Sequence, residues 1–144
     1  MPNSYSANYC HFVWATWNRA PTITREIANA VRACVASASQ QLGCLVVEIG
    51  GRPDHVHALL RVPPTAALSD VAKQIKGSSS HFVNHTLALK ERFRWQGSYG
   101  VTSVSPHDVE VIAGYVRNQA RHHRSGSLRA ELEACTDDEA PSDP

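Results

Sequence analysis

Two apolar runs of strand length, residues 44–49 (CLVVEI) and 54–62 (DHVHALLRV), are separated only by Gly50, Gly51, Arg52 and Pro53. A Gly/Pro connection of that length favours an antiparallel hairpin, and Pro63 and Pro64 close its far end. The rest of the chain has to be built around this hairpin.

Ahead of it, residues 9–17 (YCHFVWATW) are rich in aromatic and β-branched side chains and read as a strand. Pro21 and Thr24 mark a turn and a helix start. From 25 to 42 the apolar residues Ile27, Ala30, Val31, Cys34, Val35, Ala38 and Leu42 recur at helical spacing, with Gly43 as the stop. After the hairpin, Ser69 and Asp70 can cap a second helix running through Val71 and Ile75 towards Leu87, although the stretch GSSSH weakens its middle. A charged connector (KERFRW) then leads to a fourth strand at 99–104. Pro106 and Asp108 open a third helix reaching about His123, with Val109, Ile112, Ala113 and Val116 on its apolar face. The order β-α-β-β-α-β-α predicts an α+β, ferredoxin-like two-layer sandwich: four antiparallel strands with two helices on one face. The third helix must then pack on the open face of the sheet or on a partner.

At 144 residues the chain is the size of one domain, read as 1–130, followed by an acidic tail at 131–144. A helical turn or two is expected within 128–135, and the remainder of the tail is expected to be disordered. No apolar run is long enough to span a membrane, and residues 1–9 lack a signal-peptide layout, so the expected location is the cytoplasm. Cys10, Cys34, Cys44 and Cys135 are scattered, which argues against a zinc knuckle or a disulfide framework. The net charge of +1 conceals a split: residues 131–144 carry six acids and no base, whereas 1–130 hold 14 bases against seven acids, a net of +7. A body with that excess can attract phosphates, although ordinary solubilising charge would look the same.

Chemistry-bearing residues gather at two places. In His55-Val56-His57, strand alternation sends both imidazoles to one face and Val56 to the core. Two ring nitrogens so placed can share a metal ion, and they can equally be two polar residues on a sheet face. Tyr115 and Gln119 lie one helical turn apart. With Asn118, His122 and His123 they make up the polar side of the third helix. His122 and His123 fall near its end, where a partly cationic ring suits the helix dipole better than ligation. His11, His81, His85 and His107 lack partners at metal spacing and are expected to be structural or exposed.

Five fragments in order, HFVWATWNR, DHVHALLRVPP, QIKGSSS, WQGSYGVTSVS and YVRNQARHH, resemble the single-tyrosine HUH transposases of bacterial insertion sequences and their relatives associated with repetitive extragenic palindromes. The resemblance covers roughly residues 9–123. It implies that His55, His57 and Gln119 hold a divalent metal and that Tyr115 is the nucleophile. Two imidazoles and an amide oxygen form a neutral, moderately hard site suited to Mg²⁺ or Mn²⁺. The resemblance further implies single-stranded DNA hairpins at element ends as substrate, a 5′-phosphotyrosine intermediate, and a homodimer in which one subunit's tyrosine helix can complete the other's site.

Lys76, Arg19, Lys73, Arg92, Arg94, Arg117 and Arg121 are the expected phosphate contacts, with Trp14, Trp17, Trp95 or Tyr99 available to stack on unpaired bases. Two rival readings share the topology or the motif. A non-catalytic RRM-like module would carry aromatics on its third strand, where His55 and His57 stand instead. A nickase of replication-initiator type would arrange the motifs in a different circular order.

Overall fold

The computed structural model describes residues 4–136 and Glu139. Strand β1 (Tyr9–Ala15) leads into helix α1 (Arg25–Gln41), the hairpin β2 (Leu45–Arg52) and β3 (His55–Arg61), helix α2 (Leu68–Thr86) and strand β4 (Gly100–Val104). Three short helices follow: α3 (Val109–Arg117), α4 (Gln119–Ser125) and α5 (Ala130–Glu133). The sheet is antiparallel throughout, in the order β2-β3-β1-β4, and it is open rather than closed. The expected α+β sandwich is therefore present, with a third layer on the face that the ferredoxin-like plan leaves bare.

Strands β1 and β3 lie at the centre and are covered on both sides. Cys10, Phe12 and Trp14 of β1 and Val56, Ala58 and Leu60 of β3 face α1 and α2, joining Ile27, Val31, Val35, Val71, Ile75 and Val83 in the main core. Each such large buried apolar side chain contributes roughly 1.5–3 kcal/mol. Alternation turns His11, Val13, Ala15, His55, His57 and Leu59 to the other face, under α3 to α5.

Local chemistry fixes the helix ends. Thr24 caps α1 by accepting from the Ile27 amide at 3.3 Å, and Gly43 leaves the helix at φ +78°. Helix α2 begins after Ala67, with no side-chain cap, so Asp70 sits in its first turn and neither Ser69 nor Asp70 is the cap. The GSSSH stretch does not interrupt it. Ser79 and Ser80 donate to the Lys76 and Gly77 carbonyls, and buried Ser79 also accepts from the Trp95 indole at 3.0 Å. The connector at 87–99 is likewise pinned to α2. Lys76 donates to the carbonyls of Gln96 (2.6 Å) and Ser98 (3.0 Å), while the Asn84 amide makes two bonds to the Phe93 backbone. Phe93 and Trp95 are thereby stacked edge-on in a chain that ends on Trp14.

Three boundaries differ from expectation. Gly50 and Gly51 belong to β2 rather than to the connection, so the hairpin turns on Pro53 and Asp54 alone. A Cβ on Gly50 would lie 2.1 Å from the Val116 carbonyl oxygen, so glycine there lets the α3 backbone rest directly on the strand. The third helix is not continuous to His123: Asn118, at φ −103° and ψ 33°, breaks it into α3 and α4. Part of the presumed disordered tail is ordered. The turn expected within 128–135 is α5, and Leu132 and Cys135 are buried because apolar side chains at that spacing find the uncovered sheet face. The rest of the tail, 137–138 and 140–144, lies outside the described residues.

Gly50→Ala is expected to destabilise by about 1–3 kcal/mol through overpacking against α3. Gly77→Ala, exposed in mid-helix with nothing within 4 Å of the added atom, should instead stabilise by about 0.5–1 kcal/mol. Urea unfolding of the two variants checks both signs.

Candidate active site

Each imidazole of β3 uses Nδ1 outward and leaves Nε2 for a common point. His55 Nδ1 bonds the neighbouring Asp54 carboxylate at 2.7 Å, and His57 Nδ1 meets Nε2 of His11 at 2.7 Å. Their rings stand 5.0 Å apart at 75°, and both are buried.

Helix α3 carries Tyr115 over this pair. Its ring packs edge-on to His57 at 6.1 Å and stacks on His122 at 4.6 Å. The break at Asn118 restarts the helix at Gln119, whose amide nitrogen bonds the Tyr115 carbonyl and whose Oε1 lies 3.3 Å from His55 Nε2 and 3.1 Å from His123 Nε2. Tyr115 and Gln119 are both buried, at 4% and 1% exposure. They belong to the sheet-facing side of the helix, not to a polar outer side.

The segment after α4 crosses back over the sheet. Gly126, at φ +71°, ends the helix, and the Arg129 amide then donates to Tyr115 Oη at 3.0 Å. Thr102 of β4 holds the Glu131 carbonyl, Leu132 packs beside Leu59, Val104 and Ile112, and Cys135 settles on Val13 and Ala15. Between those two anchors Glu133 enters the site. Its Oε2 accepts from the Tyr115 hydroxyl at 2.6 Å and lies 3.2 Å from His57 Nε2, while Oε1 lies 3.4 Å from His55 Nε2 and 3.5 Å from His123 Nε2. His55, His57 and Glu133 form a group able to hold a metal ion. The His57 contact is short but poorly aligned for a hydrogen bond, so that buried nitrogen stays unsatisfied.

The charges respond to this enclosure. Burial would raise the Glu133 carboxyl, but the His55 and His57 imidazoles beside it and the hydrogen bond from Tyr115 outweigh that and hold the group well below the usual carboxylate range. Burial lowers His55, yet its bonds to Glu133 and Asp54 bring it above the ordinary value. At His57 burial prevails, and the ring is lowered despite Glu133. Tyr115 is pushed up to about 12 by burial and by the carboxylate it faces.

The site thus unites Tyr115, His55, His57 and Gln119 as expected from sequence, and adds Glu133, His123 and His11. His123 turns into the site rather than merely ending a helix. Its neighbour His122 bonds Ser127. Only the pair Leu132 and Cys135 flanking Glu133 signalled that an acidic stretch would fold inward, and the His11 contact had no local signal at all.

The expected phosphate contacts are dispersed. Lys76 is committed to backbone carbonyls, Arg117 pairs with Glu48, and Arg19 pairs with Glu139. Arg94 lies over Trp17, whereas Lys73, Arg92 and Arg121 are exposed. Trp14 is wholly buried and cannot stack on a base, Trp95 and Tyr99 pack against the core, and Trp17 remains exposed. No described helix is long and apolar enough to cross a membrane.

The fold is thus an open, ferredoxin-like antiparallel sheet that presents a His-x-His pair beneath a helical tyrosine. The chain belongs to the IS200-like transposase family, whose model matches residues 4–119, and it is accordingly a DNA-cleaving and strand-transferring enzyme. It is 31% identical over 121 residues to the ISDra2 transposase TnpA of Deinococcus radiodurans, covering 80% of this chain and 85% of that one. Identity to the transposase for insertion sequence element IS200 of Salmonella typhimurium is 26%, over 81% and 79% of the two chains. A crystal structure of a Deinococcus radiodurans R1 protein described as a transposase superposes with a TM-score of 0.65 at 29% identity, over 83% of this chain and 96% of that one. A REP-associated tyrosine transposase bound to a REP hairpin shares the fold, with a TM-score of 0.62 at 15% identity, over 89% and 74%.

The attachment of Glu133 should depend on pH in the metal-free protein. A depressed carboxylate stabilises fully above its ordinary 4.5 and loses that contribution as pH falls through its lower folded value; the raised His55 stabilises fully below 6.5 and loses it as pH rises through its higher one. Protection of the amides at 129–135 in hydrogen exchange, corrected for intrinsic rates, should peak between those values. In Glu133→Gln the peak should vanish.

Proposed function

We propose that the chain cleaves and rejoins single-stranded DNA with Tyr115 as nucleophile and a divalent cation at His55, His57 and Gln119, with Glu133 facing the same point. One observation carries the reading: two Nε2 atoms and an amide oxygen converge beneath a phenol of the same chain. The residues fit such an ion, because His57 Nε2 is buried and unsatisfied, and the donor set of two imidazoles, an amide and a carboxylate suits Mn²⁺ or Mg²⁺. A cation bound there would neutralise charge gathering on a non-bridging phosphate oxygen.

The chain's own residues do the rest. Tyr115 Oη attacks phosphorus, forming the Oη–P bond as the bond to the 3′ oxygen breaks. The phenolic proton passes to water, and the departing oxygen takes one up as a 3′-hydroxyl. The resulting 5′-phosphotyrosine keeps the phosphodiester's energy, so a second 3′-hydroxyl can reverse the step and join new strands. Glu133 must release the Tyr115 hydroxyl before attack, since a phenol tied to that carboxylate holds its proton.

A folded single strand is the substrate class this reading selects, in line with the hairpin carried by the REP-associated relative and with the net +7 of residues 1–130. A cavity of about 730 Å³ between α2 and the 87–99 connector, lined by Ser80, Asn84, Arg92, Arg94 and Trp95, is the place for phosphate contacts. Lys73 and Arg121 are further exposed cations, while Lys76 shapes the cavity wall through Gln96 and Ser98. A homodimer is part of the proposal, with exposed Val101 on β4 and Val111 on α3 as apolar contacts. The proximity of Tyr115 to its own His57 favours action in cis over helix exchange.

Incubation with Mn²⁺ and a single-stranded hairpin from DNA flanking the coding sequence should yield a covalent adduct resolved on a denaturing gel. Tyr115→Phe should give none, and an adduct in that variant would refute the nucleophile. His57→Ala should lower the yield by more than the roughly 10–100-fold that loss of an outer partner of a metal ligand costs.

A further inference from the structure

We infer that His11 is a positioning residue for the metal centre: through its bond to His57 it fixes which nitrogen of that ring is free to ligate. The inference rests on the metal reading above and concerns a residue that reading does not use. His11 is fully buried in the middle of β1, and its Nε2 lies 2.7 Å from His57 Nδ1 across the β1–β3 pair. Register sets Leu59 opposite His11 and Val13 opposite His57, so the two rings are diagonal neighbours on one face, within reach of long side chains.

A bond between two imidazoles needs one proton on the shared axis and a bare nitrogen to receive it. If His57 Nδ1 carries the proton and His11 Nε2 accepts it, His57 Nε2 is bare and points at Glu133 and the site. In the opposite sense His11 donates, and His57 Nε2 is protonated and unable to ligate. Ligation by Nε2 therefore selects the first arrangement, with His11 as the acceptor that holds the ring in the right tautomer and rotation.

The cost borne at position 11 points the same way. Among the described residues His11 Nδ1 has no hydrogen-bond partner, and an unsatisfied buried polar atom is destabilising. An apolar side chain among Val13, Leu59 and the neighbouring helix layer would avoid that loss. The histidine is explained by what its other nitrogen does for His57. His55 shows the same arrangement with a different partner, its Nδ1 being held by Asp54. Both metal-facing rings thus have one nitrogen restrained from behind.

The test uses the full chain and Mn²⁺ alone, titrated by electron paramagnetic resonance, with folding checked by circular dichroism. His11→Phe keeps a planar ring but offers no acceptor, and Mn²⁺ affinity should fall about 10–100-fold. His11→Gln restores an acceptor oxygen and should recover most of that loss. In hairpin cleavage the His11→Phe defect should appear mainly as a raised Mn²⁺ requirement, with a smaller effect on the plateau rate. Long-range ¹H–¹⁵N spectra of the wild-type protein loaded with Zn²⁺ give a readout independent of any variant's folding, and should show His57 protonated at Nδ1. Unchanged Mn²⁺ affinity in a folded His11→Phe variant, or a His57 protonated at Nε2 in the loaded protein, would overturn the inference. Wild-type protein that binds no divalent ion would overturn both this inference and the metal reading beneath it.

Discussion

The open face of the sheet is organised around imidazoles that have no water to turn to. His11, His55 and His57 sit on the two central strands, each at most 3% exposed, and a buried polar ring costs stability wherever its nitrogens lack partners. Asp54 serves His55, His11 serves His57, and the Nε2 atoms of those two rings face Gln119 and Glu133. The third layer of the fold is what makes this burial possible. Without α3 to α5 the same face would be wet and its histidines ordinary surface residues.

Two glycines let that layer come close enough. Gly50 on β2 admits the Val116 carbonyl, and Gly100 on β4 admits the Ala134 carbonyl, where a Cβ would lie 1.9 Å from the oxygen. They stand on the two edge strands of the sheet. Helix α3 therefore closes from the β2 side and the 127–135 segment from the β4 side, and the two meet over His57, where Tyr115 and Glu133 form their bond. A side chain at either glycine would lift one of the two covers by more than a hydrogen bond can stretch.

Much of this was legible in the sequence because it rests on local periodicity. The hairpin, both long helices, the shared face of His55 and His57, and the spacing of Tyr115 and Gln119 all follow from residues a few positions apart. What escaped was set by contacts distant in sequence. Gly50 of β2 reads as loop because the helix resting on it comes about 65 residues later. Lys76 read as a DNA contact, yet its ammonium is spent on the backbone of the 96–98 loop. Glu133 was hidden by its neighbours: six acids within 131–144 have the composition of a solvated tail, and only Leu132 and Cys135 interrupt it. His11 carried no signal, since a lone histidine in a strand has the same pattern whether it supports a ligand or fills a core.

Proximity and reactivity are separated at Tyr115. The phenol already lies beside the imidazole pair, so no large motion of α3 is needed to bring that hydroxyl to the site. Its proton, however, is shared with Glu133 at 2.6 Å, and the group is pushed up to about 12. Relative to an ordinary tyrosine near 10, that leaves about a hundredfold less phenolate at neutral pH. Glu133 is held where it is by the Tyr115 hydroxyl and by the imidazoles within 3.5 Å of its oxygens, which together keep the carboxyl ionised. A cation between those rings would compete for the same carboxylate oxygens and weaken their hold on the phenol. On the proposed reading, binding of the cation and release of the Tyr115 hydroxyl are then one rearrangement, driven by a divalent ion arriving among two imidazoles, an amide and a carboxylate.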